Sequence, residues 1–284
     1  MVTGKGGIGK TLVAACLGQA ASELGRRSLI VESSNLDQLA PLFGTSTTRH
    51  VVTGVGDRLF TVNLNAADNL RDFVVKHLGQ EQLFDMVVNQ KLVQSLAGMT
   101  PGLAELMMLG RLYYESELAP VPRKDFLVFD GPASGHFLSL MTTTDAVLRS
   151  EFGGAVTRET SRVRGFLADP QKVGIVYVTT PEDLVISEAL DFLPRLRDLS
   201  PAKLLGIALN RMPTWSKQEK GGLVHDYLNE KLDRIERAKA KLYEGMKARG
   251  IELPVWELPE LGFVDEPLAA GFGAGFLQRM LEES

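Results

Sequence analysis

One cysteine, Cys16, stands in a chain of 284 residues. A single thiol excludes an intrachain disulfide and any metal site built from paired cysteines. It fits a reducing, cytoplasmic setting. The chain also lacks an excess of basic charge, with 31 Lys and Arg against 35 Asp and Glu, a net charge of −4. That gives no electrostatic footprint for nucleic acid. No apolar run approaches the ~20 residues that cross a bilayer, and no direct membrane insertion is expected. A secretory leader is not visible, because the amino end runs straight into a glycine-rich loop. What remains is 44% apolar and 23% charged, the profile of an ordinary globular protein.

That loop is Gly4-Lys5-Gly6-Gly7-Ile8-Gly9-Lys10-Thr11. Two glycines bracket four residues and are followed by Lys and Thr, the phosphate-loop pattern. Glycines let backbone N–H groups turn inward around phosphate oxygens. The pattern predicts that Gly4, Gly6, Gly7, Ile8, Gly9, Lys10, Thr11 and Leu12 hold a nucleotide, that Lys10 reaches its terminal phosphates, and that the Thr11 hydroxyl binds Mg²⁺. A helix over 10–24 would aim its N-terminus at the anion. Cys16 falls on that helix and reads as a small buried apolar residue.

Short apolar runs at 1–3, 28–32, 59–64, 126–130, 173–179, 204–210 and 254–258 read as strands. Several are apolar on both faces, as buried parallel strands are. Helical patterns fall between them, notably at 181–199 and 216–249. Alternation of this kind predicts an α/β fold, a parallel sheet with helices on both faces. The whole chain, 1–284, reads as one domain. Residues 67–118 interrupt the rhythm with consecutive helical segments at 69–78, 80–96 and 101–118, a helical insertion. The first strand is short for a central one; a late start and missing residues stay equally open.

The run at 126–130 ends in Asp130 and continues Gly131-Pro132-Ala133-Ser134-Gly135-His136. A carboxylate closing an apolar strand is where phosphate-loop enzymes organise Mg²⁺. Asp130 is therefore expected to hold a metal-bound water, and the residues after it to form a loop that senses the terminal phosphate. His136 serves equally well as a structural hydrogen-bonding residue or as part of that signal.

Here the sequence resembles the ArsA-type ATPases, the arsenite-pump ATPases and their tail-anchored-protein-targeting relatives. The extra lysine of the loop, Lys5, and the segment from Asp130 to His136 carry the resemblance. Pro101-Gly102 through Glu105, Thr180-Pro181-Glu182 with Glu188-Ala189, and Asn210-Arg211 extend it to most of the chain. The resemblance implies a SIMIBI-type P-loop NTPase, ATP and Mg²⁺ as ligands, and a nucleotide-switched dimer, either a homodimer or a pair with a paralogous half-ATPase. It implies that Lys5 crosses the interface and acts in trans beside Lys10 and Asp130. It also implies that Asn210 reads adenine with Pro259 near the ring.

The sequence departs from that family where its second strand is usually followed by Thr-Asp-Pro-Ala-His. Here Glu32-Ser33-Ser34-Asn35-Leu36-Asp37 follows Leu29–Val31, and the expected acid falls on Ser34. Serine is no carboxylate base, so slow hydrolysis is expected unless Glu32 or Asp37 substitutes. The lone Cys16 argues against thiolate capture of a metalloid and against a zinc-joined dimer.

Five of the nine methionines lie between Met86 and Met141. They suit a subdomain core, or a surface for an apolar client or membrane-protein partner. Leu228, Leu232, Ile235, Leu242 and Met246 form one side of an amphipathic helix expected to pack on the sheet. Phe272, Phe276, Leu277, Met280 and Leu281 form a C-terminal apolar stripe, with Glu282-Glu283 disfavouring anionic lipid.

Overall fold

The computed structural model describes residues 1–34, 36–46, 51–64, 102–120, 123–150, 154–217, 222–260 and 280. Its strands are β1 (Val2–Gly4), β2 (Ser28–Glu32), β3 (Thr53–Gly56), β4 (Leu59–Asn63), β5 (Phe126–Ala133), β6 (Gly174–Thr179), β7 (Lys203–Met212) and β8 (Val255–Pro259). They form one sheet in the order β3-β4-β2-β5-β1-β6-β7-β8. Every neighbouring pair is parallel except β3 with β4. The short β1 lies at the centre, between β5 and β6.

Alternation along the strands decides the layers. Leu29, Val31, Phe129, Tyr177, Ile207 and Leu209 pack into one buried cluster, while Ile30, Val128, Val176, Val178 and Ala208 pack into another. The second is covered by α1 (Lys10–Glu23), which buries Ala14, Ala15, Ala20 and Ala21. The small residues let the helix lie close: a Cβ on Gly18 would sit 2.3 Å from Ile30. A short α2 (Leu39–Leu42) joins that face. The first cluster is covered by α3 (Leu103–Tyr113), α4 (Ser134–Arg149), α5 (Gly154–Leu167), α6 (Asp183–Leu199) and α7 (Leu223–Ala248). A π-helical turn, Tyr114–Leu118, closes α3.

Most boundaries match the periodicity within two residues, but three features differ. The expected all-parallel sheet carries an antiparallel edge, β3, whose Thr-Gly-Val-Gly sequence has too little apolar pattern to announce a strand. Residues 131–133 are not a free loop: β5 runs to Ala133 and α4 starts at Ser134. Pro132 is tolerated there because β2 pairs only as far as Asp130, which leaves β1 as the neighbour. The long helix begins at Leu223 rather than 216. Its Leu232, Ile235, Leu242 and Met246 are buried, the last three in the core cluster shared with α6 and the sheet, and Gly245 admits Leu190 of α6 where a Cβ would clash at 2.3 Å.

Of the helical interruption, only 102–118 lies among the described residues. There Met107 and Met108 are buried, as is Met141 of α4, so these three fill the core. The segments 69–78 and 80–96, Asn35, Met86, Met99, Pro101 and the C-terminal stripe other than Met280 fall outside them. Among the described residues no helix is long and apolar enough to cross a membrane.

Candidate active site

The glycine-rich loop spans the turn from β1 into α1, at the carboxyl edge of the sheet. Gly4 is irreplaceable on steric grounds: a Cβ there would lie 2.2 Å from the carbonyl oxygen of Val178. Gly7 and Gly9 take positive φ of 80° and 91°, which glycine adopts without strain. Gly6 and Gly7 face solvent, Ile8 is buried beneath them, and Leu12 packs half-buried against the α1 core. Two side chains from the end of β7 brace the loop. The Asn210 amide donates to Ile8 O at 2.8 Å, and the Arg211 guanidinium donates to Gly7 O at 2.8 Å.

Lys10 Nζ donates to Lys5 O at 3.1 Å, closing the loop on itself. Burial pulls the Lys10 ammonium below its usual pKa, and the Asp130 carboxylate works against that fall. The Thr11 hydroxyl donates to Asp130 Oδ2 at 2.7 Å. Asp130 is 7% exposed. Burial pushes its carboxyl up to about 6, with the Thr11 hydrogen bond and Lys10 lowering it and Glu32 adding to the rise. Its other oxygen, Oδ1, is buried without a hydrogen-bond partner among the described residues. An orphaned carboxylate oxygen beside a threonine hydroxyl and a lysine suits a hydrated cation held next to phosphate. The residues present therefore fit Mg²⁺.

Parallel register sets a row of polar strand ends here. Glu32 of β2 lies opposite both Asn63 of β4 and Asp130 of β5. Asn63 was not foreseen from sequence; its signal is the same as Asp130's, a polar residue closing an apolar strand. Glu32 is 1% exposed. Its carboxylate accepts the Ser34 hydroxyl at 2.6 Å, the Gln38 N–H at 2.9 and 3.2 Å, and the Leu39 N–H at 3.2 Å. Gln38, also unforeseen, puts its side-chain oxygen 3.4 Å from Thr11 Oγ1. Glu32 thereby ties Ser34, Gln38 and Leu39 to the end of β2, and Gln38 lies beside the loop.

Lys5 lies on the other side, its ammonium 2.5 Å from Glu188 Oε2 on α6. His136 is exposed in the first turn of α4. Pro259 ends β8 opposite Met212 of β7. A cleft of about 630 Å³ opens between α6, α7 and these strand ends, lined by Glu182, Arg211, Tyr227, Lys231, Arg234 and Glu260 among others. Thr180, Pro181, Glu182 and Arg211, from the segments that carry the family resemblance, line it, whereas the described residues expected to hold nucleotide or Mg²⁺ do not. Asn210 is buried against the loop. Burial drives the Cys16 thiol up to about 12, which leaves it inert.

A mostly parallel sheet with this loop between its central strand and the following helix defines a P-loop nucleotide-binding protein. Residues 1–153 match the sequence model of the anion-transporting ATPases, the ArsA ATPases, and the chain belongs to that family. ATPase BagA of Mycobacterium tuberculosis and a putative ATPase of Mycobacterium bovis are each 26% identical to it over 214 residues, 70% of this chain and 61% of theirs. ATPase ARSA1 of Chlamydomonas reinhardtii is 27% identical over 201 residues, 58% of this chain and 25% of its own. The chain thus spans less than two thirds of the length of these relatives.

Proposed function

We propose that this protein binds ATP with Mg²⁺, hydrolyses it slowly, and works as a nucleotide-switched dimer in the cytoplasm. The observation that carries the proposal is the pairing of Thr11 with Asp130, whose second oxygen is buried and unsatisfied beside Lys10. Gly6–Lys10 would present backbone N–H groups to the phosphates, and Lys10 would exchange its bond to Lys5 O for phosphate oxygens. Thr11 would hold Mg²⁺ directly, and Asp130 would hold a water on it. When bound, the cation neutralises charge on the transferred phosphoryl group. Lys5, once released from Glu188, would supply a second cation to a partner's nucleotide. Asn210 holds the turn on which the nucleotide would rest, and adenine would lie near it and Pro259. The partner is a second copy or a paralogous half-ATPase.

The test is calorimetry of ATP binding on the full chain beside Lys10→Ala, with sedimentation in ATP and phosphate release measured on the same samples. Binding that survives Lys10→Ala undiminished would remove the proposal. A second reading has its own support: Ser34 stands at the acid's place and its hydroxyl is bonded to Glu32. On that reading the protein is an ATP-dependent binding or targeting factor that dimerises without turnover. Tight ATP binding and dimerisation with no phosphate release would favour it.

A further inference from the structure

We propose that Gln38 orients the attacking water in this chain and that Glu32 is the positioning residue that sets it there. The inference rests on the ATP-hydrolysing reading above.

Glu32 is the nearest acid to Asp130 along the sheet, yet it is poorly placed to act as the base. It is 1% exposed, and both oxygens are occupied by the Ser34 hydroxyl and the backbone N–H groups of Gln38 and Leu39. Its acceptor capacity is spent on the chain itself. Ser34 points the same way, its hydroxyl bonded to Glu32. What this clamp achieves is local geometry. It fixes the backbone at Gln38, immediately before α2, so that the side chain reaches across to the loop. There the carboxamide oxygen sits 3.4 Å from Thr11 Oγ1, the group expected to mark the cation and terminal phosphates. The Gln38 side chain is exposed.

A carboxamide suits the task. It offers one acceptor for a water proton and two donors for a phosphate oxygen. Phosphoryl transfer through a loose transition state asks for orientation more than for proton removal. The water oxygen forms its bond to the γ-phosphorus as the bond from that phosphorus to the β–γ bridging oxygen breaks. The electron pair leaves on ADP, and the water proton passes to the released phosphate. Gln38 is unchanged throughout. A carboxamide cannot take the proton, which agrees with slow rather than absent turnover.

Gln38→Ala, the similarly sized Gln38→Met and Glu32→Gln test this in the full chain. Three quantities are read: phosphate release at saturating ATP, ATP affinity, and affinity for ADP with aluminium fluoride, the last two by calorimetry. Both Gln38 variants should lose at least ~10-fold in turnover and in ADP–aluminium fluoride affinity, while ATP affinity stays within ~2-fold. Glu32→Gln should show the same split, together with faster hydrogen exchange at the amides of Gln38 and Leu39. Wild-type turnover in Gln38→Ala with undiminished ADP–aluminium fluoride affinity overturns the inference. So does a wild type that binds ATP and releases no phosphate. A wild type that fails to bind ATP overturns the ATP-binding reading as well, so the two failures are distinct.

Discussion

Lys5 of the loop and Glu188 of α6 form an ion pair at 2.5 Å, within a single copy of the chain. Both are substantially exposed, at 42% and 57%, so the pair contributes little to folding, roughly 0.2–1 kcal/mol. Under the proposed role in trans, Lys5 has to give up this pair to reach a partner's nucleotide. Glu188→Gln should leave the thermal midpoint within about 2 °C. It should tighten ATP-dependent self-association up to ~5-fold, the conversion of that small pair energy. Lys5→Ala should abolish the association. Sedimentation velocity in ATP and in ADP reads both variants, and dimerisation that ignores Lys5→Ala would dispose of the role in trans.

Asp130 makes a prediction of opposite sign for stability and for ligand binding. Burial pushes its folded pKa up to about 6, above the ordinary 3.8. Between pH ~4 and ~6 the folded state therefore binds more protons than the unfolded one, and stability falls as pH rises through that window. Above pH 6 the burial penalty is complete, on the order of 3 kcal/mol. Asp130→Asn removes the charge and should raise the midpoint of the ligand-free protein at pH 7. It should also erase the contribution of Mg²⁺ to ATP affinity. In the wild type that contribution should fade below pH 6, where protonation competes with the cation. Thermal melts at pH 4.5 and 7, with and without Mg²⁺-ATP, separate these effects. A variant less stable than wild type at pH 7 would show that the carboxylate is held by something stronger than Thr11.

Asn210 is a test of what braces the loop. Its amide bonds Ile8 O at 2.8 Å, and Gly9 leaves room for it: a Cβ at Gly9 would lie 2.5 Å from that nitrogen. Asn210→Ala leaves the carbonyl without its donor and should cost roughly 1–3 kcal/mol. Because the turn it holds is the proposed seat of the nucleotide, the loss should appear in ATP affinity as well as in urea unfolding. Binding of ADP and GDP compared in the same variant divides bracing from base recognition. Equal losses for both nucleotides mean bracing, and a selective loss for ADP means adenine contact.

What was legible in advance follows from how each feature is encoded. The loop is contiguous, so Gly4 to Thr11 announced itself, and Asp130 was visible because an apolar strand ends there. The sheet's two-sided burial was visible in runs such as Leu29-Ile30-Val31, which divide between the two core clusters. Interactions between distant residues were not visible. The clamp of Glu32 on Gln38 and Leu39 depends on how the chain turns after β2, and the Asn63–Glu32–Asp130 row depends on strand register. Nor did the sequence distinguish a loop from a continuing strand at Gly131-Pro132, because that depends on where β2 stops pairing.

The same network predicts that the missing acid cannot simply be restored. Ser34 Oγ lies 2.6 Å from Glu32 Oε1 and also against Leu36 O, with one proton between the two acceptors, and its N–H reaches Asn63 Oδ1 at 3.4 Å. Ser34→Asp replaces a donor with a second carboxylate facing a buried one, a like-charge pair without compensation. The variant should lose roughly 1–3 kcal/mol in urea unfolding and gain no turnover. Converting Glu32→Gln in the same chain removes the repulsion and returns a donor toward the new acid. The single amide oxygen accepts from the backbone of Gln38 and Leu39 more weakly than the carboxylate did, so the clamp is loosened while the repulsion is gone. The double variant should therefore be more stable than the sum of the single changes, with a coupling of about 1 kcal/mol or more. Additive losses would mean that position 34 and Glu32 do not face each other in solution. Brisk hydrolysis in Ser34→Asp alone would mean that the clamp does not constrain the segment at all.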